Sequence, residues 1–154
     1  MGYYVRAFTV GDARTPLRAI LDWTRAHGAE LVPRGDVDLD AADWRQAELL
    51  DPATARTFLV EATRDRDDAN LLGEEVEEFV DELADAPDSS ERQRVLDCLS
   101  AARAVVAAQL PGGRQDEALD AAITFLQFFV EDEGGMIQAD EVGFFEGDDL
   151  VVAL

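Results

Sequence analysis

The sequence has no lysine, one cysteine and one histidine, and each scarcity excludes a class of site. A single cysteine, Cys98, cannot form a disulfide within the chain, and a single histidine, His27, cannot supply the paired imidazoles of common metal sites. The two residues fall in separately predicted helices, and nothing in the sequence aligns them as a nucleophile and its base. We interpret Cys98 as a small core residue and His27 as a residue near the end of a helix.

Motifs that hold phosphates, metals or catalytic nucleophiles are also missing. The chain has no glycine-rich phosphate loop, no G-x-S-x-G, no H-E-x-x-H and no C-x-x-C. Its weakly charged runs are too short to cross a bilayer and it opens without an apolar leader, so we expect no membrane association and a cytoplasmic location. We predict no cofactor, and the lack of motifs favours a noncatalytic protein.

Acidic residues dominate the remaining composition, and they are unevenly spread. The chain carries 34 Asp and Glu against 13 Arg, a net charge of −21. Residues 1–66 hold eleven acids and nine arginines, whereas residues 67–154 hold twenty-three acids and four arginines. A surface of this sign repels phosphate backbones and attracts cations, so we expect no nucleic-acid binding, and an acidic half that either engages a basic partner or stays solvated. Adaptation to salt or a coding bias would explain the total charge but not the contrast between the halves.

Four aspartates in one polar segment come nearest to a metal site. The segment reads DVDLDAAD, and alternating aspartates in a loop can direct oxygens at a hard cation. It departs from the EF-hand pattern, because Ala41 stands where the tight turn needs glycine and Ala47 where a bidentate glutamate is needed. The weak metal candidates are Asp36, Asp38, Asp40 and Asp43.

Hydrophobic periodicity predicts an α+β fold. Apolar, aromatic and β-branched runs predict six strands, over residues 3–10, 44–50, 56–63, 104–110, 136–145 and 150–154. The run at 104–110 also fits a continuation of the preceding helix, but its two adjacent valines and the break at 111–113 favour a strand. Apolar stripes at helical spacing predict four helices, one capped by Thr15 and another opened by a capping box of Ser90 with Gln93. We therefore expect one domain, residues 1–154, with a mostly antiparallel sheet of about six strands and helices stacked on one face.

The order of these elements repeats along the chain. Residues 1–66 and 103–154 both read strand, helix, strand, strand, and two further helices at about 70–102 join them. We predict a pseudo-duplication of two βαββ-type units. The order is similar to that of tandem βαββ ligand-binding domains; this resemblance covers element order alone, so it implies a fold and no activity.

Three aromatic residues, Trp44, Phe144 and Phe145, are the candidates for a ligand site or interface. Neighbouring residues of a regular strand point to opposite faces, so Phe144 and Phe145 cannot both enter one core. One of them is expected to meet solvent, a partner or a pocket.

The spare aromatics and the charge contrast together favour a noncatalytic interaction or small-ligand-binding module. Such a module could self-associate if the acidic surface of one copy met arginines of another. The arginines considered for that contact are Arg6, Arg14, Arg18 and Arg25. A metal-dependent or carboxylate-based enzyme is the alternative, and an acidic decoy that inhibits a basic protein is a further one.

Overall fold

Eight strands form one open, antiparallel sheet in the computed structural model, which describes residues 2–154. The strands are β1 (Tyr3–Thr9), β2 (Val32–Arg34), β3 (Gln46–Asp51), β4 (Arg56–Arg64), β5 (Ala104–Leu110), β6 (Gly135–Ala139), β7 (Gly143–Glu146) and β8 (Asp149–Ala153). The helices are α1 (Leu17–Ala26), α2 (Ala69–Leu83), α3 (Ser90–Ala101) and α4 (Leu119–Glu133), with a 3₁₀ turn at Gly113–Gln115. In space the strands follow the order β2-β3-β4-β5-β1-β6-β7-β8, so β5 and β1 lie at the centre.

The sheet has eight strands where the sequence predicted about six. Strand β2 has three residues and lies in a polar segment, so it is too short to show an alternation of apolar and polar residues. Strands β6 and β7 occupy the region predicted as one strand. They are separated by a turn in which Glu141 adopts a φ of 66° and Gly143 a φ of 141°. Each end of the chain therefore contains one strand, one long helix and three strands, and an origin by duplication stays a prediction.

Helices cover both faces of the sheet, and the expectation of a single covered face was wrong. Side chains alternate along β1, so Val5 and Ala7 enter the core beneath α1 and α4, while Phe8 enters a second core beneath α2 and α3. That second core gathers around Phe8, Phe79 and Phe144. The two connecting helices each carry their own apolar stripe, and the first face is already occupied, so they bury those stripes on the opposite face.

Two helix caps differ by one residue from the prediction. Pro16, not Thr15, takes the N-cap position of α1, and no side chain caps that helix. Ser89, not Ser90, caps α3, because the Ser89 hydroxyl accepts from the backbone N–H of Arg92 at 3.0 Å.

Across residues 2–154, every helix is too short or too polar to cross a membrane.

Candidate ligand groove and acidic cleft

The structure separates the three aromatic candidates. Trp44 is buried just before β3, where its indole N–H donates to the Thr15 carbonyl at 2.9 Å. Phe144 is fully buried in the second core, whereas Phe145 is half-buried on the first face. Strands β3 and β7 are five positions apart in the sheet, about 24 Å at the usual strand spacing. Trp44 and Phe145 therefore belong to different sites.

Phe145 lies beside an apolar groove of ≈ 280 Å³ between α4 and the last strands. The groove exists because α4 packs over β1 and β6 and meets α1 on one side only. On the other side, the first face of β7 and β8 carries no helix within residues 2–154, and Leu150 on that edge is 50% exposed. The apolar walls are formed by Leu119, Ile123, Ile137, Ala139, Val142 and Phe145.

The two ends of the groove differ in charge. Leu119, Ile123 and Gln127 follow each other at a spacing of four along α4, which makes the groove about 12 Å long. Strand β6 starts directly after α4 and runs back beside it, so the end of β6 lies near Leu119. Arg114 stands at this end, and Asp148 in the β7–β8 turn stands at the other.

Tyr3 closes the groove at the Arg114 end. Its hydroxyl donates to the Asp140 carbonyl at 2.7 Å, which fixes the ring against the end of β6. Burial raises the pKa of Tyr3, the charge of Arg114 lowers it, and the charges of Asp140 and Glu141 raise it further. The phenol therefore stays neutral at physiological pH, and Arg114 is the cation that lines this end of the groove.

A second concave site, the acidic cleft, lies on the other face between α2 and strands β1 and β6. It has a volume of ≈ 480 Å³, and its lining carries four carboxylates, from Glu78, Glu82, Asp140 and Glu141. Burial and the neighbouring Glu78 raise the pKa of Glu82. Burial is the largest cause of this raised pKa, and the negative charge of Asp140 on the opposite wall adds to it.

Arg6 forms the floor of the acidic cleft, and it is 8% exposed. Its Nη1 donates to Gln138 Oε1 at 2.7 Å and to Asp140 Oδ1 at 2.8 Å. Its Nε lies 3.5 Å from a carboxylate oxygen of Glu75, an ion pair without hydrogen-bond geometry. Burial raises the pKa of Glu75, while Arg6 opposes that rise. One arginine thus faces five acidic side chains, so the cleft remains strongly negative.

Two of the four predicted metal candidates, Asp38 and Asp40, are engaged in other contacts. Asp40 receives hydrogen bonds from Arg18 at 2.7 and 3.2 Å, and Asp38 accepts from the backbone N–H of Asp40 at 3.0 Å. Arg18 lowers the pKa of Asp40 by hydrogen bonding. Asp36 and Asp43 join no cluster: within residues 2–154, no three His, Cys, Asp or Glu side chains are grouped to hold a metal ion.

His27 and Cys98 lie far apart in the fold. His27 stacks on Trp23 with ring centroids 3.8 Å apart, and its Nδ1 lies 2.7 Å from the Trp23 carbonyl oxygen. It borders a cavity of ≈ 680 Å³ whose best-placed carboxylate, Asp51, is already bonded to the turn at Ala53 and Thr54. Cys98 packs against the second core, where burial raises the pKa of its thiol and disfavours the reactive thiolate.

The arginines considered for self-association are already paired within the chain. Arg6 contacts Asp140 and Glu75, and Arg14 contacts Asp12 and Asp67. The same holds for Arg18 with Asp40 and for Arg25 with Asp22. A second copy would have to break such pairs to bring these arginines to an acidic surface.

Of the residues that line the groove, the sequence predicted Phe145 as a ligand or interface candidate, but it did not predict Ile123 or Arg114. Alternation along a strand predicts that one of two adjacent phenylalanines leaves the core, and that logic applies to Phe145. The apolar stripe of α4 is wider than one buried face needs, which is the signal that could have identified Ile123 as a groove residue. Arg114 gives no local signal, because its position at the groove depends on how distant elements pack.

No protein-family model, no curated protein and no solved structure matches the chain. The geometry of the groove and the acidic cleft is therefore the basis for proposing a function.

Proposed function

We propose that this protein is a noncatalytic module that binds a small apolar ligand in the groove beside Phe145. The observation that carries the proposal is the groove itself, a preformed concavity with six apolar wall residues on rigid elements. Ligand sites are typically concave and mostly apolar, with a few polar groups that fix orientation. Here those polar groups are the phenol of Tyr3, the Gln127 amide and the two charges at the ends.

The size of the groove limits the ligand. At ≈ 280 Å³ it lies just below the range of about 300–1,000 Å³ that is common for drug-sized ligands. A single aromatic ring with a short chain fits this volume and the length of about 12 Å along α4. Larger or rigid polycyclic ligands do not.

Isoleucine methyl resonances provide a direct test. The chain has three isoleucines: Ile123 and Ile137 line the groove, and Ile20 is fully buried on α1. Phenylbutanol added to protein with labelled isoleucine methyl groups should shift the signals of Ile123 and Ile137 in a saturable manner. The Ile20 signal should stay in place and serve as the internal reference.

A blocking variant provides the control. Ile123→Trp should fill the groove and abolish saturable binding. Val32→Trp, a matched change at a 44%-exposed residue on the opposite edge strand, should leave it intact. Equal shifts at all three isoleucines, or no shift at any, would contradict the proposal.

The acidic cleft supports a second candidate function, the binding of a basic partner or organic cation. Its four carboxylates surround a buried arginine that is already engaged, so they attract cations from outside. This candidate continues the interaction module and acidic decoy predicted from the charge contrast. Spermine tests it: the polyamine should stabilise the fold more than sodium chloride does at equal ionic strength.

A further inference from the structure

We propose that the ligand of the groove is an apolar carboxylate whose anionic end is bound by Arg114. This inference rests on the proposed function, because it names the chemical class that the same groove selects. The groove residues other than Arg114 explain why a ligand is apolar, and Arg114 explains which head group it carries.

Arg114 is the single cation available in its part of the chain. It is the only arginine among residues 104–154, and the chain has no lysine. Its side chain is exposed, lines the groove and forms no salt bridge within residues 2–154, although acids surround it in sequence. The nearest of them, Asp116, is buried and accepts from the backbone N–H groups of Gly112 and Ala118. The guanidinium fork therefore remains free for a carboxylate, which it matches in geometry.

The charge at the two ends of the groove fixes the orientation of the ligand. A carboxylate at the Arg114 end lies at the opposite end of the groove from Asp148. The apolar body then follows Leu119 and Ile123 toward Phe145. In a chain of net charge −21, an anion is repelled almost everywhere else, so Arg114 decides whether a carboxylate binds at all.

Three probes with the same body and different head groups test the inference by titration calorimetry. Phenylbutyrate should bind about tenfold more tightly than phenylbutanol, the gain expected from one charge-assisted contact. Phenylbutylamine should bind no more tightly than the alcohol. In Arg114→Gln, phenylbutyrate should fall to the affinity of the alcohol or below it, because the remaining charges repel it, and the affinity of the alcohol should stay within about twofold.

Arg56→Gln is the matched control, since it removes one exposed arginine on β4, outside the groove, and should keep the preference for phenylbutyrate. If the alcohol binds and the carboxylate shows no advantage, or if the amine binds best, the carboxylate inference is overturned and the small-ligand function stands. The inference is also overturned if Arg114→Gln weakens alcohol and carboxylate equally. If none of the three probes binds, the proposed function fails together with the inference.

Discussion

Arg64 is fully buried, and its guanidinium is hydrogen-bonded to backbone carbonyls, with the Asp67 carboxylate 3.9 Å away. Its Nη1 donates to the Trp44 carbonyl at 2.6 Å, and its Nε and Nη2 donate to the Ala13 carbonyl at 3.3 and 2.9 Å. The guanidinium also lies 5.5 Å from the centre of the Trp44 ring. One side chain at the end of β4 thus ties down the segment before α1 and the segment before β3. Ala13 sits there with a φ of 56°, a conformation that such contacts help to hold.

We predict that Arg64→Met lowers the free energy of unfolding by about 3 kcal/mol, since two buried carbonyls each lose a partner at about 1–3 kcal/mol. Urea denaturation followed by circular dichroism measures the change. Arg66→Met, at an exposed position two residues away, should change stability by no more than about 0.5 kcal/mol. Similar losses in both variants would show that the carbonyl contacts of Arg64 are not the cause.

At the scale of elements, periodicity predicted the four helices, because those segments are long enough to show an apolar stripe. The central strands β1 and β5 were predicted from their apolar, aromatic and β-branched composition, since the run that forms β5 has no diagnostic period. Both signals failed at β2 and at the β6–β7 turn. Strand β2 has three residues and is held by its register with β3, which is a tertiary contact. In the β6–β7 turn, Glu141 has a positive φ. Residues other than glycine rarely adopt this backbone conformation, and the local sequence does not predict it. The groove depends on this same turn, because β7 returns Phe145 beside Ile137.

Gly143 makes the β6–β7 turn and the pairing of β7 with β8 possible. A Cβ at this position would lie 2.0 Å from the carbonyl oxygen of Val152, and its φ of 141° strains any other residue. We predict that Gly143→Ala lowers the free energy of unfolding by about 2–4 kcal/mol. Gly73→Ala makes the same chemical change within α2, where nothing lies within 4 Å, and should raise stability by about 0.5–1 kcal/mol.

Opposite signs for the two alanine substitutions, measured by urea denaturation, would support this assignment. A neutral Gly143→Ala would mean that the β7–β8 edge can rearrange around the added methyl group. Isoleucine methyl signals of the same variant report whether the groove survives, because Ile137 pairs with Phe145 across β6 and β7.

At the scale of the whole molecule, the charge contrast between residues 1–66 and residues 67–154 can be assigned to particular surfaces. Most arginines of the first half form ion pairs inside the chain, and Arg6 is the only one of them that pairs with acids of α2 and of the β6–β7 turn within residues 2–154. Glu75 and Glu82 both have pKa values raised by burial. A raised pKa in the folded state means that each group adds stability when protonated and loses that contribution as the pH rises through the folded pKa. The free energy of unfolding should therefore increase as the pH falls through the folded pKa values of these two groups toward the ordinary glutamate pKa of about 4.3.

The same carboxylates predict how spermine acts. At about pH 7.5 spermine should raise the melting temperature more than sodium chloride of equal ionic strength, because it binds the acidic cleft in the folded state only. The excess should shrink as the pH falls toward the ordinary glutamate pKa of about 4.3, since the raised pKa of Glu82 lets it take up a proton at a higher pH than an exposed glutamate does. The double variant Glu78→Gln with Glu82→Gln should lose the excess over the whole pH range.

Glu77→Gln with Asp81→Asn removes the same charge from the adjacent face of α2 and leaves the cleft lining intact, so it should retain the excess. If spermine raises the melting temperatures of the two double variants equally, it responds to the overall charge of the molecule and the cleft is not a specific site. If only the cleft variant loses the effect, the four carboxylates act together as a cation site. Those carboxylates come from one connecting helix and one strand turn, which the fold brings onto the same face of the sheet.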